Sequence, residues 1–287
     1  MFRTLSNSWE LVKASFNVLK ADRELMVFPF VSMIGVIIVS IVFAVPLWLS
    51  GIVSSVSEGT SDTTQNVIGI VVLFLFYLVM YTIIIYSNVA LVGAAMMRLR
   101  GEDPSLNDGF RIAGQHLSQI LGYAAISATV GVLMSMLRNN DNIVARILAG
   151  VVNFAWNVVT FLVVPVLVIE NLGPIDAIKR SGQLLRQTWG EQIVANGGIG
   201  LVFGLITLAV ILVVGVPLVM LAVAAESIAL GILAVALVII VATLIGLFST
   251  ALNGVFQAAL YNYAQTGSAG PYFSESLVRS AFRPKNR

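Results

Sequence analysis

Cysteine is absent from the 287 residues, and histidine occurs once, at position 116. Without cysteine the chain forms no disulfide, no thiolate metal site and no cysteine nucleophile. One histidine without cysteine also argues against a catalytic zinc site, which needs several nitrogen or sulfur ligands. The sequence has no phosphate-binding loop, no nucleophile elbow and no HExxH motif. It therefore predicts no catalytic, metal or cofactor site, and we expect a non-enzymatic protein.

Charge is the second scarcity. Only 10% of the residues are charged, whereas 58% are hydrophobic. A soluble domain carries about 25% charged residues, so a chain this apolar could not cover its surface in water. The long apolar runs indicate a bilayer as solvent. Ionisable side chains are almost missing inside these runs, which argues against an ion-coupled transporter or a proton relay.

Six apolar runs are long enough to cross a bilayer. They cover residues 26–52, 67–97, 120–137, 147–169, 193–223 and 228–263. We therefore predict an all-α, polytopic membrane bundle that forms one integral membrane domain over residues 1–287. Pro29 falls in the first turn of the first run, where its missing N–H costs little. Pro46 predicts a kink or early exit near its end, and Pro217 predicts an interruption of the fifth run.

Residues 4–20 precede the first run and predict an amphipathic helix. The side chains expected on its apolar face are Leu5, Trp9, Val12, Phe16 and Leu19. Such a helix can lie in the membrane interface, with its aromatic rings at the headgroups, or pack on the ends of the bundle. The two interpretations are compatible.

Two further amphipathic helices are expected before the third and fifth runs, and a last one is suggested near Phe273. Pro104 and Pro174 suit the first helical position, and Asp103 suits a helix cap. The face expected in the earlier helix consists of Leu106, Phe110, Ala113 and Leu117. The face expected in the later helix consists of Ile175, Ile178, Gly182, Leu185 and Trp189.

The distribution of Lys and Arg predicts the orientation. Of the 16 cationic residues, 14 fall on the side of both termini and two, Arg138 and Arg146, fall on the other. The 14 are Arg3, Lys13, Lys20, Arg23, Arg98, Arg100, Arg111, Lys179, Arg180, Arg186, Arg279, Arg283, Lys285 and Arg287. Because cytoplasmic loops carry the excess of positive charge, we expect both termini in the cytoplasm and the chain in the plasma or inner membrane.

A three-fold internal repeat is also indicated. Residues 4–100, 101–173 and 174–267 each consist of a surface helix, a span, a hairpin and a second span. The second span ends in a similar way in the first and third units, with small residues that follow Asn88 and Asn253. Pro104, Pro174 and Pro271 occupy corresponding places. Convergence on favourable helix starts is the alternative explanation, and a repeat would place a site at the repeat interface.

The sequence resembles an uncharacterised family of six-span prokaryotic membrane proteins. The resemblance is carried by SWELVKAS at residues 8–15 with Phe28-Pro29 after it, by residues 88–105, and by VVPVLVIENLGPIDAIKRS and TWGE within residues 163–191. It also extends distantly to the membrane domains attached to some glycerophosphodiester phosphodiesterases, whose soluble catalytic domain is missing here. The resemblance implies the six-span topology and no biochemical activity.

Polar residues inside the spans are the remaining candidates for a site. Asn153 and Asn157 lie one turn apart in the fourth span, and Asn88 and Asn253 lie in the second and sixth. Such amides can contact a polar substrate or a lipid headgroup, or can hydrogen-bond between helices. Gly200 and Gly204 allow close approach of a helix from the same chain or from another subunit.

On the cytoplasmic side, Glu102, Asp103 and Asp108 form an acidic cluster. The expected role of this cluster is helix capping and pairing with Arg98, Arg100 and Arg111, and divalent metal binding is the alternative. His116 is expected to be an interfacial histidine satisfied by water, and a pH-sensing or ligand role is its alternative.

Two functions follow from these patterns. The first is a membrane component that binds anionic lipid headgroups, or a partner, through its basic cytoplasmic face. Its lipid or interface residues would be Trp9, Arg98, Arg100, Arg111, Lys179, Arg180, Arg186 and Trp189. The second is a permease or channel for a small apolar or weakly polar solute, with its pathway near Asn153 and Asn157. The partners expected are membrane lipids, with a homo-oligomer or a membrane protein left open and no nucleic acid.

Overall fold

The computed structural model describes residues 2–49, 63–138, 143–189 and 199–279, and these residues form helices and turns without a strand. A short 3₁₀ helix at Arg23–Met26 joins the first two α-helices, and a π-helical turn at Ile211–Gly215 joins α9 to α10. The α-helices are α1 Phe2–Ala21, α2 Val27–Leu49, α3 Thr63–Leu99, α4 Leu106–Gln115, α5 Leu117–Arg138, α6 Ile143–Val159, α7 Val163–Glu170, α8 Pro174–Trp189, α9 Ile199–Val210, α10 Val216–Ala224, α11 Ile228–Thr266 and α12 Glu275–Arg279.

Six helical segments of the described chain are long and apolar enough to cross a membrane, as the sequence predicts. They are Arg23–Leu49, Val67–Leu99, Leu117–Arg138, Ile143–Glu170, Val202–Ala224 and Ile228–Thr266. The all-α, multi-pass class is therefore confirmed. The longest of them, α11, has 39 residues, which at about 1.5 Å per residue exceeds the thickness of a bilayer. It therefore tilts or extends beyond the hydrocarbon core.

The chain divides into two compact units. The first consists of residues 1–29, 95–104 and 187–287, and the second of residues 30–94 and 105–186. Each unit is assembled from separate stretches of sequence, so their boundaries do not coincide with those of the three proposed repeats. The repeat stays a prediction.

The first unit has its core where α1 packs on α9 and α11. Leu11 and Val18 of α1 are completely buried, and Phe256 and Tyr261 of α11 are 1% exposed. The buried face of α1 contains Leu11, Ala14, Ser15 and Val18, and the predicted face is therefore rotated: Trp9 and Phe16 lie on the exposed side. Helix α1 packs on the bundle with one face and leaves Trp9 and Phe16 about half exposed, with the Phe16 ring centre 5.8 Å from that of Phe248 in α11.

The second unit has its core around the last turns of its part of α3. Residues 89–94 are small or aliphatic and buried. A Cβ atom added to Gly93 would lie 2.9 Å from Cγ2 of Ile112, so glycine allows α4 to lie directly on α3. Ile120 of α5 and Leu167 of α7 complete this core and are inaccessible. Packing is therefore tightest near the surface helices α4 and α8.

Some ends of the spans expose large apolar side chains instead of burying them. Trp48 at the end of α2 is 76% exposed, and Ile228 at the start of α11 is 83% exposed. Exposing a large apolar side chain to water is unfavourable in free energy, whereas contact with lipid chains carries no such cost. These ends are therefore the part of each helix that a bilayer covers.

The fourth span is interrupted, which corrects the prediction of one continuous helix over residues 147–169. Helix α6 ends at Val159 and α7 begins at Val163. Pro165 has no N–H to donate to the carbonyl of residue 161, and its ring excludes a regular helix through that position. The Leu162 N–H lies in the break and donates to the buried Ser181 Oγ at 3.0 Å. The Ser181 side chain of α8 thus satisfies a backbone donor that the break leaves outside a helix.

Pro217 has a milder effect than the predicted interruption of the fifth span. The helix continues through it, but the five residues before α10 form a π-helical turn. Proline removes the hydrogen bond to the residue four positions earlier, and the wider π turn absorbs the mismatch. Pro46 lies inside α2, which continues to Leu49.

The prolines before the surface helices occupy different positions. Pro174 is the first residue of α8, as predicted. Pro104 lies outside α4, which begins at Leu106 with Ser105, not Asp103, as its N-cap. Pro271 precedes α12 by several residues. The expected helix near Phe273 is present as one short turn, and Phe273 itself precedes it.

Candidate functional site

Helix α1 presents a cationic and aromatic stripe on its open face. Trp9 and Phe16 are 47% and 44% exposed, and Lys13 and Lys20 are exposed beside them. Positions 9, 13, 16 and 20 follow the spacing of one helical face. The Lys13 ammonium lies 5.9 Å from the centre of the Trp9 ring, within the range of a cation–π contact. We call these four residues the α1 stripe.

Helix α8 positions three of the predicted lipid contacts, and their environments differ. Lys179 is exposed and pairs with Asp176 at 3.3 Å, one turn earlier. Arg180 is half-buried, and its Nε donates to both carboxylate oxygens of Glu170. Arg186 is exposed near the end of the helix, where its charge suits the negative end of the helix dipole. The accessible positive charge of α8 therefore lies at Arg186 and at Lys179, whose pair with Asp176 is itself exposed.

The Trp189 backbone closes α8, but its side chain lies outside the described residues, as do Arg283, Lys285 and Arg287 of the tail. Gly200 is the second residue of α9, and a Cβ atom on Gly204 would meet nothing within 4 Å.

Arg98 connects two segments within the first unit. One terminal nitrogen donates to the Asp103 carboxylate at 2.8 Å, and the other donates to the backbone carbonyl of Ala21 at 3.2 Å. This arrangement supports the expected pairing of the acidic cluster with arginine. Arg98 thereby fixes the end of α1 to the end of α3. The neighbouring Arg100 is exposed.

A buried carboxyl group lies next to this junction. Asp22 is 7% exposed, and its Oδ1 accepts from the Glu24 N–H at 3.2 Å. Burial raises the pKa of Asp22, against the opposing influence of that hydrogen bond and of the Arg98 charge. Its second carboxylate oxygen has no hydrogen-bond partner among the described residues.

Helix α4 begins with a capping box. The Ser105 hydroxyl accepts from the Asp108 N–H, and the Asp108 carboxylate accepts from the Ser105 N–H at 3.0 Å. Arg111 donates to the same carboxylate at 2.9 Å. The hydrogen bonds from Ser105, then that from Arg111, lower the pKa of Asp108 to about 2. Asp108 and Arg111 therefore have structural roles at this helix start.

The four asparagines are in different environments. Asn157 is exposed, and its amide donates to the backbone carbonyl of Asn153 at 2.9 Å. Asn253 is half-buried and donates to the backbone and hydroxyl oxygens of Ser249 within α11. Asn88 is half-buried in α3. Asn153 and Asn157 lie one turn apart on α6, and both side chains are exposed.

Asn153 nevertheless lines a polar cavity of about 330 Å³ in the second unit. The cavity lies between α3, α5 and α6, along the half of α5 remote from α4. Its lining residues are Tyr77, Tyr81, Ser127, Val130, Gly131, Met134, Ser135, Arg138, Asn153 and Trp156. Among them only Asn153 is a residue that the sequence predicted for a site. The spacing of the other polar residues could have indicated a shared face. Tyr77 and Tyr81 are one turn apart in α3, and Ser127, Ser135 and Arg138 follow one another in α5 at spacings of eight and three residues.

The family match adds to this geometry. Residues 67–273 fit a family of unknown function, DUF6159. The chain belongs to this family. The matched region begins in α3 and ends before α12, so it contains the polar cavity and α8 but not the α1 stripe. No curated protein matches the chain.

Membership of DUF6159 agrees with the predicted resemblance to an uncharacterised family. The prokaryotic origin and the likeness to domains attached to phosphodiesterases stay predictions. Among the described residues no three His, Asp or Glu side chains converge on a possible metal position. His116 follows the last residue of α4, and its Nδ1 lies 2.8 Å from the Ile112 carbonyl oxygen.

Proposed function

We propose that this member of DUF6159 is a non-enzymatic, multi-pass membrane protein that binds anionic lipid headgroups with its surface helices. The α1 stripe is the observation that carries the proposal. Aromatic rings beside lysines on the open face of a helix suit the headgroup region, where the ring is half in lipid and the ammonium reaches the phosphates. Glu10 shares the exposed face, so the net charge of this surface is modest.

Lys179 and Arg186 extend the proposal to the second unit. Both are exposed, and the pair of Lys179 with Asp176 is open to solvent, whereas Arg180 pairs with a half-buried Glu170 and Arg111 with the capping carboxylate of Asp108. Lipid contacts by Arg98, Arg100, Arg111 and Arg180 stay predictions, and among these Arg100 has the most accessible charge. We therefore assign lipid binding first to Lys13, Lys20, Lys179 and Arg186.

Retention of phosphatidylglycerol tests this proposal. The protein is placed in nanodiscs of phosphatidylcholine and phosphatidylglycerol, and retained lipids are counted by native mass spectrometry. Lys13→Gln with Lys20→Gln should weaken phosphatidylglycerol retention by about fivefold for each cation, because a cation near the surface contributes about 1 kcal/mol. Arg146→Gln, on the opposite side, is the matched control. Equal retention by the double variant and the control would count against the proposal.

The proposed orientation places both termini in the cytoplasm and the chain in the plasma or inner membrane. The absence of cysteine makes a direct test simple, since any introduced cysteine is the single thiol of the chain. Lys20→Cys and Arg186→Cys should react with an impermeant maleimide only after cells are opened. Arg146→Cys should react in intact cells. The reverse labelling pattern would show that the orientation is opposite to the one proposed.

A permease for a small apolar or weakly polar solute is the second candidate, and the position of Asn153 on the polar cavity favours it. Asn153→Leu should then reduce glycerol flux into proteoliposomes, and Asn157→Leu should leave it unchanged, because Asn157 lies outside the cavity lining. Flux that is the same for both variants would remove this pathway.

A further inference from the structure

The polar cavity of the second unit is built among apolar spans. Its polar groups come from three helices: hydroxyls of Tyr77 and Tyr81 from α3, hydroxyls of Ser127 and Ser135 from α5, and the amide of Asn153 from α6. Polar groups in a membrane span are costly unless they find hydrogen-bonding partners. Ser127 finds a partner in Tyr123, and the other four polar side chains on one cavity suit a polar occupant.

Gly131 helps to shape this cavity. A Cβ atom at this position would lie 3.3 Å from Cε2 and 3.4 Å from the hydroxyl oxygen of Tyr81. The rings of Tyr77 and Tyr81 stack with their centres 5.9 Å apart. Glycine therefore leaves room for both tyrosines against α5 and keeps their hydroxyl groups on the cavity.

The charge of the cavity is positive. Arg138 is the one charged side chain of its lining, and no carboxylate belongs to the lining. Within residues 63–138 and 143–189, no Asp or Glu forms an ion pair with Arg138. Arg138 is exposed at the end of α5. Its guanidinium presents a planar set of donors that fits the oxygens of a phosphate.

The Ser127 hydroxyl already has a partner within the protein. It hydrogen-bonds to Tyr123, and both residues are buried. The volume of about 330 Å³ lies at the small end of the range of ligand pockets.

We propose that this cavity binds the hydroxyl-bearing phosphate head of an amphiphile. Arg138 contacts the phosphate, and Tyr81, Ser135 and Asn153 hydrogen-bond to the hydroxyl groups of the head. The apolar lining residues Val130 and Met134 suit the start of the acyl chains. This site is remote along α5 from α4 and is independent of the α1 stripe, so neither proposal rests on the other.

Trp156 lines the cavity and gives a local readout. The other tryptophans, Trp9, Trp48 and Trp189, are replaced by Phe, and the emission of Trp156 is followed in a neutral detergent. Dihexanoyl phosphatidylglycerol should change this emission to saturation. Dihexanoyl phosphatidylcholine, whose head lacks hydroxyl groups and net charge, should require at least tenfold higher concentration. Equal titrations by the two lipids would overturn the proposal.

Variants of the two arginines on this side distinguish the site from general charge attraction. Arg138→Gln should weaken phosphatidylglycerol binding at least tenfold, and Arg138→Lys should restore part of it. Arg146→Gln is exposed, lies outside the lining and should bind like the parent protein. The proposal is wrong if Arg138→Gln binds like the parent, or if both arginine variants lose binding equally.

Glycerol 1-phosphate identifies the source of the phosphate head. If it saturates the Trp156 signal at the concentration of the lipid, the site takes a soluble phosphate ester; if only the lipid does so, the site takes a lipid. No signal with either probe would overturn the proposal. Should the single-tryptophan protein fail to fold, native mass spectrometry of phosphatidylglycerol bound to the Arg138→Gln and Arg146→Gln variants gives the same comparison with all four tryptophans present.

Discussion

Arg180 pairs with Glu170 across the turn that joins α7 to α8. Its Nε lies 2.9 Å from Oε2 and 3.1 Å from Oε1 of the carboxylate, and both side chains are half-buried. Asn171 within this turn adopts a left-handed backbone conformation with φ of 50°, and its Oδ1 accepts from Gln119 at 2.8 Å. The ion pair and this amide contact together fix the direction in which α8 leaves the bundle.

Replacing Glu170 by Gln should therefore destabilise the second unit. The Arg180 guanidinium would keep its partial burial and lose its counterion, which costs about 1–2 kcal/mol, between the values for exposed and buried pairs. Thermal unfolding in detergent micelles measures the change. Asp176→Asn is the matched control, because its pair with Lys179 is about two-thirds exposed and should contribute little. Equal destabilisation by the two changes would contradict the assigned difference.

Gly122 should tolerate no larger side chain. An added Cβ atom would lie 2.8 Å from Cγ of Pro174, the first residue of α8. The proline ring cannot rotate away, so Gly122→Val should lower the free energy of unfolding by about 1–3 kcal/mol, as overpacking does.

Gly150 of α6 is the control for Gly122, since nothing lies within 4 Å of its added Cβ atom. Gly150→Ala should stabilise that helix by about 0.5–1 kcal/mol, because alanine loses less backbone freedom. Chemical unfolding in mixed micelles reports both changes. A Gly122→Val protein as stable as the parent would show that α8 does not lie on α5 as described.

The capping box of α4 should lose its contribution to stability in acid. Because the pKa of Asp108 is lowered to about 2 from an ordinary value of 3.8, its contribution to stability is present above pH 3.8 and is lost as the pH falls toward 2. Ser105→Ala should raise the Asp108 pKa toward 3.8, since the Ser105 hydrogen bonds are the largest cause of the shift. Carboxyl carbon chemical shifts follow the titration. Asn107→Ala is the control, and an unchanged Asp108 pKa in Ser105→Ala would refute the cause.

Asp22 should affect stability with the opposite dependence on pH. Burial raises its pKa, so the folded protein loses stability as the pH rises from 3.8 through that raised value. Asp22→Asn keeps an oxygen that accepts from the Glu24 N–H and removes the buried charge. The variant should therefore have the higher melting temperature at pH 7, with the difference vanishing below pH 3.8. A lower melting temperature at pH 7 would mean that attraction to Arg98 outweighs the cost of burial.

The number of spans could be predicted from the sequence because a helix that crosses a bilayer needs about 20 consecutive apolar residues, and such runs are easily recognised. The break in the fourth span could have been predicted too, since Pro165 stands inside that run, near its end. The buried face of α1 could not be predicted in this way. The helices on which α1 packs cover Leu11 and Val18 and leave Trp9 and Phe16 exposed. Sequence periodicity shows two apolar stripes and cannot say which one a neighbour covers.

The polar cavity was harder to predict than the spans. Tyr77, Ser135 and Asn153 are far apart in sequence, and hydroxyl groups in a membrane helix usually bond to the preceding turn, as Thr82 and Thr129 do here. Only the packing of three helices decides which hydroxyls face a common space. Asn153 and Asn157 were predicted together from their spacing, and the structure places only Asn153 on the cavity.

The π-helical turn before Pro217 gives the fifth span an adjustable length. A π turn contains one residue more than the α-helical turn it replaces, so removing one residue within Ile211–Gly215 would restore regular helix while both flanking helices keep their faces. The same deletion in the regular part of α11 would rotate everything beyond it by about 100°. Insertions and deletions among relatives should therefore be accepted at this turn and rejected in α11.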